Sequence, residues 1–176
     1  MNLTEIVNVL KDIFKFENIE DLGAALHKCV ITNDVEKYEF LCGEIHDMSE
    51  DWLQKVYQYY LADRKVLMQD YTPKSLAKFL GELVGDSNVV IDMCAGSGAL
   101  TIQKWNLNHD IKFELYEFDE NVIWFLAFNM VIRNIECNIY HSDILSGEIF
   151  SKYHIKKGER FGVFEEVKTD GIIFGV

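Results

Sequence analysis

The sequence predicts an α/β domain preceded by a helical region, and three observations support this. From Leu3 to about Leu67, apolar residues recur at the spacing of a helix face. After Gly85, strand-like and helix-like segments alternate, a pattern typical of βαβ units with a parallel sheet. Two glycines separate the first strand-like segment from the next helix. We therefore predict a helical extension over residues 1–70 and a sheet-bearing domain over residues 71–176.

The helical region divides into short helices. The apolar residues of the first two are Ile6, Val9, Leu10, Ile13 and Phe14, then Leu22, Ala25, Leu26 and Cys29. Asp34 is placed to cap a third helix, and Ser49 to start a fourth that continues toward Leu67. Pro73 interrupts the pattern and suits the start of another helix over Lys74–Val84.

The second region predicts strands and helices in turn. The expected elements are a buried strand Asn88–Met93, a helix ending near Trp105, a strand Lys112–Tyr116, a helix Asp119–Arg133 and a strand Glu136–His141. Beyond Leu145 the alternation stops, because residues 147–158 are polar and basic. Phe161–Val167 and Gly171–Val176 suggest two further strands joined by a tight turn.

Composition limits the classes of function. The 176 residues suffice for one compact domain, and a hydrophobic fraction of 49% allows a buried core. Lys and Arg number 17 against 29 Asp and Glu, which gives a net charge of −12. Unaided binding to DNA or to an anionic membrane is disfavoured, because such binding requires cations that neutralise phosphates.

The cysteines and the apolar runs indicate a soluble, cytoplasmic protein. Cys29, Cys42, Cys94 and Cys137 form no C-x-x-C pair, so neither a zinc knuckle nor a disulfide framework is predicted. The longest apolar run, Val122–Phe128, is much shorter than the roughly 20 residues of a membrane span. His27 and His46, with the two cysteines between them, occupy helical positions, and we expect no metal site there.

The segment Asp92–Leu100 carries the strongest functional pattern. Gly96 and Gly98 follow a strand and precede a helix, where glycine permits a sharp turn and close approach of a ligand. The N–H groups at the start of that helix suit an anionic group, and Asp92 suits an amine. NAD and ATP are second choices, because the third glycine of the dinucleotide fingerprint and the Lys-Ser/Thr pair of a phosphate loop are absent.

Two further acids follow the next two strands. Glu117 ends the second strand, where an adenosine ligand needs an acceptor for its ribose hydroxyls. Asp143 ends the third strand and suits an exocyclic amine. Because parallel strands end at one edge of a sheet, Asp92, Glu117 and Asp143 are expected to meet in one crevice.

Together these segments resemble a known family. Tyr71-Thr72-Pro73, Asp92-Met93-Cys94-Ala95-Gly96-Ser97-Gly98, Glu117 and Ser142-Asp143-Ile144-Leu145 are similar, in this order, to the cofactor-binding half of N6-adenine DNA methylases, especially type I modification subunits. The resemblance implies a Rossmann-like, S-adenosylmethionine-dependent methyltransferase sheet that is shortened or altered toward its C-terminal end.

The resemblance also implies roles for single residues. Thr72 would contact the methionine end of S-adenosylmethionine, and Asp92 its amino group. Cys94, Ala95, Gly96, Ser97 and Gly98 would line the cofactor, largely through the backbone. Glu117 would bind the ribose and Asp143 the adenine amine.

The family's Asn/Asp-Pro-Pro-Tyr/Phe segment, which holds a flipped adenine, has no counterpart here, because Pro73 is the only proline. We therefore expect an adenine-N6 type methyltransferase that is catalytically incomplete as a lone chain and reaches DNA only with a partner subunit. The alternatives are a non-catalytic cofactor-binding subunit of a restriction-modification complex and a methyltransferase on a small molecule or protein.

The basic patch at residues 152–160, with Lys152, Lys156, Lys157 and Arg160, is expected to be a solvated loop rather than a nucleic-acid contact.

Overall fold

The part of the chain that the structure describes contains a five-stranded sheet, whose strands have the same order along the chain and in space. The structure is a computed structural model that describes residues 2–62, 72–85 and 87–168. The strands are β1 (Val89–Asp92), β2 (Lys112–Glu117), β3 (Cys137–Asp143), β4 (Glu148–Lys156) and β5 (Val163–Val167). The first three are parallel, whereas β4 is antiparallel to β3 and β5 is antiparallel to β4. The fold is therefore mixed α/β, and the parallel half of the sheet follows the predicted βαβ pattern.

Seven α-helices accompany the sheet within the described residues. They are α1 (Leu3–Phe14), α2 (Leu22–Ile31), α3 (Val35–Glu44), α4 (Trp52–Tyr60), α5 (Lys74–Leu83), α6 (Ala99–Leu107) and α7 (Glu120–Ile132), with a short 3₁₀ turn at Ile19–Asp21. The helices predicted between the parallel strands are confirmed as α6 and α7. No described helix is long and apolar enough to cross a membrane.

Side-chain caps fix where several N-terminal helices begin. The Asn2 side chain and Glu5 form a capping box at α1, and Asp34 accepts a hydrogen bond from the Lys37 N–H at α3, as predicted. The fourth helix begins after Asp51, whose carboxylate accepts from the Gln54 N–H, and not at Ser49. The helix ends at Tyr60 with Leu61 as its C-cap, so the prediction of one helix continuing toward Leu67 was wrong; residues 63–67 lie outside the described residues.

The sequence predicts no strand over residues 147–158, but most of this segment forms β4. Ile149 and Ile155 are buried, and Ile155 belongs to the core, whereas the residues between them are partly or fully exposed; the polar and charged side chains of the segment concealed the strand. A bulge between His141 and Ser142 accommodates the pairing of β4 with β3. The strand predicted at Phe161–Val167 is confirmed as β5; the one at Gly171–Val176 lies outside the described residues.

Strand β1 is exposed, although its Val-Val-Ile sequence predicts burial. It is the first strand in the sheet order, and Val89 and Ile91 are 47% and 59% exposed. An apolar run predicts burial on both faces only where other elements cover both faces. Among the described strands, only β2 pairs with β1.

Helix α7 is central to the packing. It contacts α2 and strands β2 to β5, and almost every residue from Val122 to Ile132 is buried. One cluster of buried side chains joins the N-terminal helices, through residues such as Leu10 and Leu26, to sheet residues such as Leu115 and Ile139. This shared core holds the helical region against the strand ends that carry the candidate site.

Candidate functional site at the ends of the parallel strands

The ends of β1, β2 and β3 enclose a cavity of about 330 Å³. Its walls are formed by Met93, Cys94, Glu117, Phe118 and the segment Ser142–Leu145, and we call it the Glu117 cavity. The parallel pairing aligns the ends of the three strands, so residues that lie far apart in sequence meet here. Of the predicted site residues, the cavity contains Cys94, Glu117 and Asp143.

The Glu117 carboxylate is held in a fixed orientation by three backbone N–H groups. Its Oε1 accepts from Phe118 at 2.9 Å and from Asp119 at 2.8 Å, and its Oε2 accepts from Gly96 at 2.8 Å. Burial raises the pKa of Glu117, and the hydrogen bonds from Asp119, Gly96 and Phe118 oppose that rise. Oε1 therefore has both of its acceptor positions filled and Oε2 keeps one open, because an ionised carboxylate offers about four acceptor positions.

Asp143 has a different environment, although it lines the same cavity. Its Oδ1 accepts from the Leu145 N–H at 2.8 Å and from the Ser146 N–H at 3.4 Å. The hydrogen bond from Leu145 is the main cause of a lowered pKa, so this carboxylate is ionised at neutral pH. It also stabilises the turn between β3 and β4 through these hydrogen bonds.

Asp92 lies beside a second cavity of about 330 Å³, which also includes Leu80, Leu100 and Thr101 and which we call the Asp92 cavity. Its Oδ1 accepts from the Cys94 N–H at 3.2 Å, while burial raises the pKa of the carboxyl group. Met93 belongs to this cavity and to the Glu117 cavity, so the two adjoin. The Thr101 hydroxyl is buried and has no hydrogen-bond partner among the described residues.

The loop between β1 and α6 is shaped by its two glycines. Gly96 and Gly98 have φ angles of 55° and 99°, in the left-handed region that favours glycine. The Ala95 N–H donates to the Tyr116 carbonyl at 2.9 Å, which ties the loop to the end of β2. Gly98 precedes α6, and no described side chain caps the first turn of that helix. Its N–H groups are therefore open to an anionic group.

Ser97, which the resemblance predicts to line the cofactor, is turned away from the cavities. It is buried, and its hydroxyl donates to Asp51 Oδ2 at 2.5 Å. Any contribution of Ser97 to a ligand through its side chain is therefore indirect.

Thr72 lies beside a third cavity of about 290 Å³, together with Gln54, Ala99 and Gln103. Its carbonyl accepts from the Gln54 side chain at 3.3 Å. This Thr72 cavity lies on the α6 side of the loop, and Thr72 is not a wall of the Glu117 cavity. A larger cavity of about 490 Å³, near Glu5, Asp47 and Trp52, does not include the loop or the three strand-end acids.

Sequence reasoning missed the apolar side chains of the Glu117 cavity. Phe118 and Leu145 are 55% and 98% exposed, and Ile144 also lines the cavity. His141 Nε2 lies 3.1 Å from the Phe118 carbonyl, a contact that links β3 to the segment after β2. Each of these apolar residues directly follows a strand-end acid or lies two positions after it. That proximity is the signal by which the sequence could have identified them as cavity residues.

Three of the four cations of the basic patch form salt bridges with acids on other segments. Lys156 pairs with Glu165, Lys157 with Asp110 and Arg160 with Glu39. Lys152 lies over the Tyr140 ring at 5.0 Å. Lys152 and Lys156 belong to β4, so the expectation of a simple solvated loop was wrong.

His27 stacks on Trp124, with ring centroids 3.8 Å apart. The described residues contain no cluster of three or more metal-ligating side chains.

The site joins fixed carboxylates, an uncapped helix start and exposed apolar side chains, a combination suited to a ligand with hydroxyl, amine and anionic groups around a flat ring. A family model described as N-6 DNA methylase matches residues 48–167. The match spans α4 to β5 and includes the three strand-end acids and the glycine loop. No curated protein and no solved structure gives a significant match.

Proposed function

Because the chain belongs to the N-6 DNA methylase family, we propose that it is an S-adenosylmethionine-dependent methyltransferase chain of the adenine-N6 DNA type. The observation that carries the cofactor assignment is the Glu117 carboxylate, which three backbone N–H groups hold at the wall of the strand-end cavity. The family resemblance of the sequence motifs is confirmed by the match over residues 48–167.

The chemistry of Glu117 suits a hydroxyl of a ribose. A carboxylate that already accepts from three N–H groups has a defined orientation, and its remaining acceptor position, on Oε2, points in a fixed direction. A ribose hydroxyl donates well to this position, because the hydrogen bond is charge-assisted. We therefore assign the ribose of the cofactor to Glu117.

The rest of the Glu117 cavity suits an adenine ring. Asp143 supplies an ionised acceptor for an exocyclic amine, and Phe118 and Ile144 supply apolar surface for the faces of the ring. Cys94 lies on the wall nearest the glycine loop. Apolar walls with a few convergent polar groups are typical of sites for such ligands.

The amino-acid end of the cofactor is assigned to the other side of the loop. Asp92 suits an ammonium group, and the uncapped start of α6 suits a carboxylate. Thr72 lines the neighbouring cavity beside Ala99, in reach of the same helix start. Asp92, Cys94, Ala95, Gly96, Gly98 and Thr72 thus remain the proposed cofactor residues on this side, with Ser97 acting from behind the loop.

When bound, S-adenosylmethionine supplies an electrophilic methyl group for transfer to a nucleophilic nitrogen. The residues of this chain contribute orientation, because they hold the adenosine and amino-acid ends at separate points along the strand ends. We propose a target adenine in DNA, reached together with a partner subunit in a cytoplasmic restriction-modification or similar complex. A cofactor-binding subunit without catalysis, and a methyltransferase acting on a small molecule or protein, are the alternatives.

The first test is calorimetric titration of the full chain with S-adenosylmethionine, with NAD and ATP as controls. We expect saturable binding of S-adenosylmethionine alone. Glu117→Gln should weaken this binding about ten- to hundredfold, since hydrogen bonds to a charged group contribute roughly 1.5–3 kcal/mol. Glu120→Gln, an exposed carboxylate on the first turn of α7, is the matched control and should bind like the parent.

Each outcome has a defined meaning. Binding of NAD or ATP instead, or equal affinity in the parent and the Glu117→Gln variant, would refute the assignment of the site. Transfer of labelled methyl groups to DNA only after a partner subunit is added supports the proposed activity. Cofactor binding without transfer to DNA under either condition favours the alternatives.

A further inference from the structure

A buried polar network lies directly behind the glycine loop. It consists of Asp51, Ser97, Asn129 and Arg133, which come from the segment before α4, the loop, and helix α7 and its C-terminal end. All four side chains are buried. We call this group the Asp51 network.

Asp51 uses both of its oxygens within the network. Oδ2 accepts from the Ser97 hydroxyl at 2.5 Å, and Oδ1 accepts from Asn129 Nδ2 at 2.9 Å and from the Gln54 N–H at 2.9 Å. Two of these partners lie 46 and 78 residues away in the sequence. The carboxylate therefore joins the loop and α7 to the start of α4.

Ser97 is held at two points. Its hydroxyl contacts Asp51, and its carbonyl accepts from Asn129 Nδ2 at 2.8 Å. Ser97 lies between the two glycines with left-handed backbones, so the contacts fix the residue around which the loop turns. Neither contact involves a residue of the Glu117 cavity.

Arg133 orients the network from the other side. Its Nη1 donates to Asn129 Oδ1 at 2.8 Å, so the amide nitrogen of Asn129 faces Asp51 and Ser97. Its Nε and Nη2 donate to the Met48 and Glu50 carbonyls at 2.9 and 2.7 Å. The segment that carries Asp51 is therefore fixed to α7 by its backbone as well as by its side chain.

Burial makes this arrangement costly in free energy. Desolvation raises the pKa of Asp51 and lowers that of Arg133 to about 10, so the surroundings disfavour the charged form of both groups. An apolar contact of similar shape would join the same elements without that cost. Hydrogen-bonded polar groups supply what apolar contacts lack, namely a single defined geometry of the loop backbone.

We infer that Asp51 is a positioning residue for the cofactor loop: through Ser97 and Asn129 it holds the loop backbone in its binding geometry before a ligand arrives. A loop ordered in advance loses less conformational freedom when it binds. The inference rests on the proposed function for its ligand, but the order of the ligand-free loop is a separate property. The segment before α4 thereby becomes part of the cofactor site.

The test deletes one hydroxyl. Ser97→Ala removes the contact of the loop with Asp51, and Ser151→Ala, on β4, is the control that deletes a hydroxyl outside the loop. Amide hydrogen exchange is measured by NMR on the ligand-free full chain, together with S-adenosylmethionine affinity and the thermal midpoint. We expect at least about tenfold faster exchange in Ser97→Ala, confined to residues 96–99, and about tenfold weaker binding.

A second variant covers the case in which Ser97→Ala does not fold. Asp51→Asn keeps an oxygen for Asn129 and Gln54 and presents an amide N–H to the Ser97 oxygen, so we expect loop exchange close to that of the parent. Unchanged loop exchange in Ser97→Ala, or faster exchange spread evenly over the whole chain, would overturn the positioning role. If the parent fails to bind S-adenosylmethionine, the proposed function fails, and the exchange data still decide whether the network orders the loop.

Discussion

At the scale of single residues, Gly98 has a packing requirement that its sequence pattern does not indicate. The sequence pattern selects this glycine as a site for close approach of a ligand. A Cβ at this position would also lie 2.8 Å from Met130 Cε and 3.0 Å from Leu126 Cδ1, both on α7. Its φ angle of 99° adds a backbone requirement. Gly98 is therefore needed for packing the loop against α7 as well as for the turn.

Gly98→Ala should lower the free energy of unfolding by about 2–4 kcal/mol, which combines left-handed backbone strain with overpacking. Gly147→Ala is the matched control, because Gly147 has a φ angle of 76° but a methyl group added there would have no neighbour within 4 Å. It should cost only about 1–2 kcal/mol, from the backbone alone. Chemical denaturation of both variants measures the difference, and equal losses would mean that the α7 contact is unimportant.

At the scale of elements, α4 is attached to the strand ends by a buried contact. Tyr57 Oη donates to Asp119 Oδ2 at 2.8 Å, and the Tyr57 ring lies edge-on to Phe125 with centroids 5.0 Å apart. Asp119 also caps α7 through the Asn121 N–H. A helix was predicted on each side of this contact, although with other ends for α4, but the contact over 62 residues of sequence was beyond any local pattern.

Tyr57→Phe removes the hydroxyl and keeps the ring. We expect a loss of about 1.5–3 kcal/mol in the free energy of unfolding, because a buried carboxylate loses a donor. Tyr59→Phe is the control on the same helix, where the side chain is 71% exposed and a change of less than about 0.5 kcal/mol is expected. Similar midpoints for the two variants in urea would show that the Tyr57 hydroxyl does not secure α4.

At the scale of the whole molecule, charge limits what the chain binds by itself. The net charge is −12, and three of the four cations in the basic patch pair with acids on other segments. Such pairing leaves little positive potential to attract a phosphate backbone. A DNA methylase chain of this kind is therefore expected to obtain its DNA contacts from a partner subunit.

This expectation is tested by fluorescence anisotropy with a labelled, adenine-containing duplex at low and at physiological salt. The chain alone should bind more weakly than the non-specific range of about 10⁻⁴–10⁻⁶ M. As a comparison, Glu39→Gln and Glu165→Gln together release Arg160 and Lys156, and should increase binding at low salt. Tight, steeply salt-dependent binding by the parent would contradict the proposed need for a partner.

Local sequence patterns were enough to predict the alternation of strands and helices after residue 85, the glycine loop, the three strand-end acids and the family. These features are local, because helix and strand periods, glycine turns and acids at strand ends depend on neighbouring residues. Strand β4 was not predicted, because its charged side chains obscure the pattern typical of a strand. Its extended conformation becomes favourable through pairing with β3. Three features are visible only in the tertiary structure: the hydrogen bond from Ser97 to Asp51, the closeness of Met130 to Gly98, and the exposure of β1. Those outcomes depend on contacts between distant segments, which no short window of sequence contains.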